Sequence, residues 1–213
     1  RIFLSDATRL GMSMKPAANP MMDSGKALAR SGEFLIDLTN ELDIYGGDLA
    51  NAGASMRNAG DHIAQAAASC RFKTGIELVC DELRESACCL DDASNKLKRV
   101  AQQALADEDT ELARVAEKMA PSMKECSNYL EAAGAGIMRR EPITEVGENL
   151  FRSGEKMEEI SVELRGVAPQ LKASMNSGQR MAFAAERMRE AGSSLTGLKK
   201  KKSSNGTSWL KGI

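Results

Sequence analysis

LANAGASMRNAGDHI, residues Leu49 to Ile63, is the stretch from which the rest of the chain can be read. A large apolar side chain recurs every seven residues, at Leu49, Met56 and Ile63. Small pairs, Ala52-Gly53 and Ala59-Gly60, stand three and four positions after the first two. That spacing draws a single face on an α-helix, with charged and polar residues on the opposite side. Small residues on such a face let a neighbouring backbone come close. Glycine inside a helix costs about 1 kcal/mol relative to alanine. Glycine recurring at one phase of the heptad therefore has two readings: an ordinary alanine-rich core, or a contact too tight for a methyl group. On the second reading Gly53, Gly60, Gly134 and Gly192 are helix-packing residues that face a neighbouring helix.

The pattern returns in MKECSNYLEAAGAGI (Met123 to Ile137) and MAFAAERMREAGSSL (Met181 to Leu195). A second kind of arm precedes each copy. GKALARSGEFLIDLTNEL (Gly25 to Leu42) and GENLFRSGEKMEEISVEL (Gly147 to Leu164) align without gaps and share Arg-Ser-Gly-Glu. CDELRESACCLDDASNKL (Cys80 to Leu97) is a weaker third copy that keeps Leu83, Ser86, Leu90 and Leu97. The shared tetrapeptide favours duplication over a chance match between heptad-patterned helices. The expected fold is all-α: three tandem two-arm helical units, about six helical segments, forming a helical bundle or an extended helical array. β-branched residues never alternate over a useful run, so no strand is expected.

The expected organisation is an extended N-terminal arm over 1–22, a helical repeat domain over 23–197 and a basic C-terminal docking tail over 198–213. The repeat units are 23–72, 76–138 and 143–197. Pro16 and Pro20 motivate the arm, and Asp23 or Ser24 is the expected cap of the first helix. The heptad phase runs unbroken through 28, 35, 42, 49, 56, 63 and 70, while Gly46-Gly47 interrupts it. Either the helix bends there or the chain turns back as a hairpin, and the preserved phase favours a bend. Asp109 is a good cap after a charged break. Pro121 and Pro169 stand in similar Ala-Pro motifs, Ala120 to Lys124 and Ala168 to Lys172, and a break and restart is expected at both.

Composition narrows the function classes. The net charge is −1, which argues against general nucleic-acid binding. Lys199, Lys200, Lys201, Lys202 and Lys211 carry +5, leaving −6 on the remainder. Aromatic residues make up 4%, so the core must be aliphatic, with methionine filling irregular gaps. The five cysteines are odd in number and lack paired spacing, which fits a reducing compartment. His62 is the only histidine, Cys-x-x-Cys and Glu-x-x-His are absent, and the glycine pairs follow no strand. No catalytic, metal or cofactor residues are assigned, and an enzyme is not expected. No apolar run approaches a transmembrane length.

The heptads resemble helical-bundle scaffolds in general, with no family whose residues carry over. The expected function is a non-enzymatic scaffold or linker, a peripheral subunit that stabilises a larger multi-subunit assembly of other proteins. Trp209, Leu210 and Ile213 are the expected apolar anchor of the docking tail. Lys199 to Lys202 are expected to meet acidic groups or anionic lipid headgroups. The start at Arg1 rather than Met suggests processing, and hence an organellar setting. The specific expectation is a plastid membrane complex such as a photosystem-antenna supercomplex. The alternative is an amphipathic bundle that binds lipid or a lipid surface.

Overall fold

Six α-helices follow one another in the computed structural model, which describes residues 14–42, 46–72 and 75–197. They are α1 (Ala18–Leu42), α2 (Gly46–Ser69), α3 (Ile76–Ala106), α4 (Thr110–Met138), α5 (Ile143–Gly166) and α6 (Lys172–Thr196). A short 3-10 turn, Lys15–Ala17, leads into α1. Among the described residues there is no strand. Each helix packs on the one before and the one after, and α6 packs back on α1. The result is a closed ring of three antiparallel hairpins, α1–α2, α3–α4 and α5–α6. Of the two arrangements left open by the heptads, the bundle is the one formed.

The heptad explains the closure. Successive helical residues turn by about 100°, so the +3 residue lies about 60° to one side of the large residue and the +4 residue about 40° to the other. The two small residues therefore aim about 100° apart, near the roughly 120° between neighbours at a corner of a six-membered ring. The assignment holds around the ring. The +4 residues meet the hairpin partner: Gly32 lies against Gly53, Gly25 against Gly60 and Gly147 against Gly192. In the middle hairpin, Ser127 donates to the Ala87 carbonyl and Ser94 to that of Ala120. The +3 residues meet the next hairpin. Ser86 donates to Ala59 O at 3.0 Å, Cys126 Sγ to Ser153 O at 3.5 Å, and Ser24 to Ala184 O at 2.8 Å. The large residues between them, such as Leu28, Met56, Leu90, Met123, Leu150 and Met188, are buried in one shared core. The middle of the ring is thus filled with aliphatic side chains. Among the described residues no buried side-chain polar atom lacks a hydrogen-bond partner.

Several expectations are corrected. Between α1 and α2 the chain reverses instead of bending, as the Gly25–Gly60 and Gly32–Gly53 contacts require, and Gly46-Gly47 open α2. An antiparallel partner carries its own heptad, and a turn of suitable length keeps the two in register, so phase cannot tell bend from hairpin. The described part of the N-terminal arm, 14–22, is helical, not extended, and Met14 and Met21 are fully buried. Pro20 falls in the first turn of α1, where a missing N–H leaves no helix carbonyl unserved. Asp23 and Ser24 therefore lie inside α1 and cap nothing. Asp23 pairs with Arg187 of α6 at 2.8 Å, and Ser24 bonds across the same junction.

The two Ala-Pro motifs do not behave alike. Pro169 lies in the turn between α5 and α6, where Ser174 Oγ donates to Leu164 O and accepts from Ala168 N–H. Pro121 sits in the interior of α4 with no restart. It is on the exposed face, where water can reach the carbonyl left without its N–H partner. Asp109 caps α4 as expected, accepting from Leu112 N–H at 3.1 Å.

Candidate interaction surface

The glycine positions are the sequence-derived site residues that the structure places most directly. A Cβ built on Gly192 would lie 2.5 Å from both Gly147 O and Phe151 N; on Gly53 it would lie 2.7 Å from Gly32 O. On Gly60 it would press on Ala29 N and Gly25 O more closely still. All of these are backbone atoms, which cannot step aside. Gly134 differs: its nearest atoms are Arg84 Cγ at 2.9 Å and Cys80 O at 3.1 Å, and the Arg84 side chain is partly exposed and can move. The tight-contact reading therefore holds at Gly53, Gly60 and Gly192 and is weaker at Gly134. Cys80 takes the place that Gly25 and Gly147 hold in the other hairpins. These residues build the ring and offer no chemistry. Trp209, Leu210, Ile213 and Lys199 to Lys202 lie outside the described residues.

The polar candidates are structural. His62 Nδ1 lies 2.6 Å from Glu82 of α3, tying α2 to α3. The five cysteines are free thiols. Burial pushes Cys70 and Cys126 up to about 12, so both stay neutral. Cys89 is also raised, chiefly by partial burial, and Cys88 is exposed. No group of three or more His, Cys, Asp or Glu among the described residues is placed to hold a metal. No described helix is long and apolar enough to cross a membrane.

The outer surface is less uniform than the core. A groove of about 390 Å³ runs along the α1–α6 junction, lined by Phe34, Asn176, Gln179, Arg180 and Phe183. Phe183 is 44% exposed. The Arg30 guanidinium sits 4.5 Å over the Phe34 ring and pairs with Glu33 at 2.6 Å. The internal repeat allows the same place to be inspected at the other two junctions between hairpins. At α4–α5, Lys156 stands at the heptad position of Phe34 and pairs with Glu125 at 2.6 Å, whereas at α1–α6 the residue level with Phe34 is the uncharged Asn176. Glu159 there holds both Lys156 and Ser122, and this network raises the Lys156 pKa above its ordinary value. At α2–α3, Asp48 takes the place of Arg180 and binds Arg99 at 3.1 Å. Below it Asp92 accepts from Lys96 and Ser55, which hold its carboxyl below its ordinary value. The α1–α6 junction carries its ion pair further along, at Arg187–Asp23, and leaves two rings and Arg180 facing outward.

Phe34 and Phe183 were not singled out in the sequence, yet a signal is there. Both fall off the large-small phase, one before Leu35 and two after Met181, in a chain with five phenylalanines. An aromatic residue off the core phase of a heptad is a surface aromatic. Compared with known proteins, the chain matches no family model, no curated protein and no solved structure.

Proposed function

We propose that this chain is a non-enzymatic helical scaffold, a peripheral linker subunit that stabilises a larger assembly of other proteins. The observation that carries the reading is the contrast between interior and exterior. The inside of the ring is filled by aliphatic side chains, while the outside presents Phe183, Phe72, Leu78 and Val162 well exposed, with Phe183 in a groove beside an arginine. Contiguous exposed apolar groups rimmed by polar ones mark contact surfaces, and of these residues Phe183, with Phe34 in the same groove, is the one that meets that description. The same contrast weighs against carriage of a lipid inside the ring, because Leu28, Leu90 and Met123 occupy that space. Binding to a lipid surface through Lys199 to Lys202 is the second reading, and it rests on their charge alone. The setting we propose is a plastid membrane complex such as a photosystem-antenna supercomplex; near-zero net charge and free thiols are compatible with it.

The test is native separation of source extracts. A scaffold migrates with a complex far larger than 22.9 kDa and reassembles with it when the purified chain is added back. A chain that migrates only as itself, from membranes and soluble fractions alike, is not a subunit of an assembly. Deleting 203–213 addresses the tail: loss of assembly with an intact ring assigns docking to Trp209, Leu210 and Ile213.

A further inference from the structure

We propose that the α1–α6 groove is a docking site for an acidic peptide segment of a partner protein: a large apolar side chain between Phe34 and Phe183, with a neighbouring carboxylate on Arg180. This rests on the scaffold reading and names the kind of partner such a scaffold would take.

Three observations support it. First, the groove departs from the ring's own pattern. The heptad position of Lys156, which pairs with Glu125 across the α4–α5 junction, holds Phe34 here, level with the uncharged Asn176, and Phe183 stands one heptad further along the same groove. Ring closure does not need them, because the α1–α6 helices are already joined by Ser24, by the Ser31–Ser177 pair at 2.8 Å and by Arg187–Asp23. Second, Arg180 is exposed and makes no ion pair or hydrogen bond among the described residues. Asp37, at the place of Glu159, is exposed and does not pair with it. An arginine beside aromatic rings matches a carboxylate with two parallel N–H donors. Aromatic and arginine side chains together are what carries most of the energy at protein contacts. Third, Asn176 and Gln179 line the same groove and present carboxamides that can both donate to and accept from a peptide backbone. Arg180 is the one charged residue among those lining the groove, and a single carboxylate is the charge that matches it.

The experiment uses the full chain. A phage-displayed library of random dodecapeptides is selected on the wild-type protein, and the enriched peptides are synthesised and titrated by fluorescence polarisation. The expected consensus is a large apolar residue within two positions of Asp or Glu. Phe183→Ala should weaken binding by about tenfold or more. Arg180→Glu should do the same and, used as bait, should turn the selected charge to Lys or Arg. Phe183 is partly exposed and Arg180 fully outside, so both variants should keep the wild-type melting temperature, read by circular dichroism. No consensus, or a consensus bound equally by both variants, overturns the proposal. So does a wild-type dimer in sedimentation that Phe183→Ala abolishes, since the groove is then covered by a second copy.

The underlying scaffold reading fails separately. If the double variant Phe183→Ala/Arg180→Glu enters the native assembly as the wild type does, the groove is wrong and the scaffold stands. If the wild type enters none, the scaffold reading is lost whatever the peptides show.

Discussion

Substituting alanine for Gly60 adds one methyl group at the closest approach in the first hairpin. The new Cβ would press on Ala29 N and Gly25 O, with Ala29 Cα at 2.9 Å. Restoring ordinary contact needs α1 and α2 to part by roughly 1 Å. Because α1 and α2 are also held by α6 and α3, that displacement is shared by two further junctions. Overpacking costs about 1–3 kcal/mol in general, and the upper part of that range, about 2–3 kcal/mol, applies where the added methyl meets only backbone atoms. Against it stands the gain in helix propensity from Gly to Ala, about 1 kcal/mol. The net expectation is a loss of about 1–2 kcal/mol, a fall in Tm of roughly 2–8 °C for a chain of this size. Gly192→Ala should behave alike, because its Cβ meets Gly147 O and Phe151 N at 2.5 Å. Gly134→Ala should not. Its nearest neighbour is the movable Arg84 side chain, so the propensity gain is kept and the change should be neutral or slightly stabilising. Urea unfolding followed by circular dichroism at 222 nm gives all three values under one condition. Gly60→Ala matching or exceeding wild-type stability, or Gly134→Ala losing as much as Gly60→Ala, would refute the reasoning.

Pro121→Ala should stabilise by about 1–2 kcal/mol, since it restores a helical N–H in the middle of α4 and outweighs the lost rigidity of the unfolded chain; thermal melts read it. In native protein, a thiol reagent at neutral pH should label Cys88 first and Cys89 more slowly. Cys70 and Cys126 should react only as the protein unfolds, because burial holds them neutral and covered. Rapid labelling of Cys126 would mean that the α4–α5 junction opens. Asp92 has a folded pKa depressed by Lys96 and Ser55, so its contribution is present above its unfolded value, near about 3.9, and is lost as pH falls through the folded one. It is about half exposed, and screening keeps the contribution below about 1 kcal/mol. The difference in urea midpoint between wild type and Asp92→Asn should be steady from pH 5 to 8 and should shrink at pH 3.

Much of the fold is legible in residues 49–63. The seven-residue spacing of Leu49, Met56 and Ile63 gives a helix, and the paired small residues give two directions of close approach. What the pattern could not convey from one arm is which neighbour each small residue meets. Gly60 and Ala59 are adjacent in sequence and both small, but Gly60 meets Gly25 of α1 while Ala59 accepts from Ser86 of α3. That distinction emerges only when the arms are laid side by side. The reversal between α1 and α2 was illegible for a related reason: heptad phase records the face of a helix and is blind to its direction. Pro16 and Pro20 misled because proline is a breaker only beyond the first turn, and the start of α1 could not be located from the prolines alone. The groove residues Phe34 and Phe183 were visible as off-phase aromatics. Their meaning needed the α4–α5 junction, where Lys156 at the heptad position of Phe34 makes an ion pair that only joins helices.

The equivalence of the three junctions bears on how the ring can fail. The Ser24 to Ala184 contact joins residues 160 apart in sequence, so α1 and α6 can meet only after both end hairpins are in place. Until then the chain is an open arc with one unfilled edge at each end. Each edge is shaped by the same +3 rule as the edges already joined, so it accepts a hairpin from another molecule nearly as well as its own. At high concentration during refolding, arcs should therefore exchange end hairpins and close as swapped dimers. Substitutions that weaken the α1–α6 seam, such as Ser31→Leu, should raise the swapped fraction, whereas the same change at Ser86 should lower stability without favouring exchange.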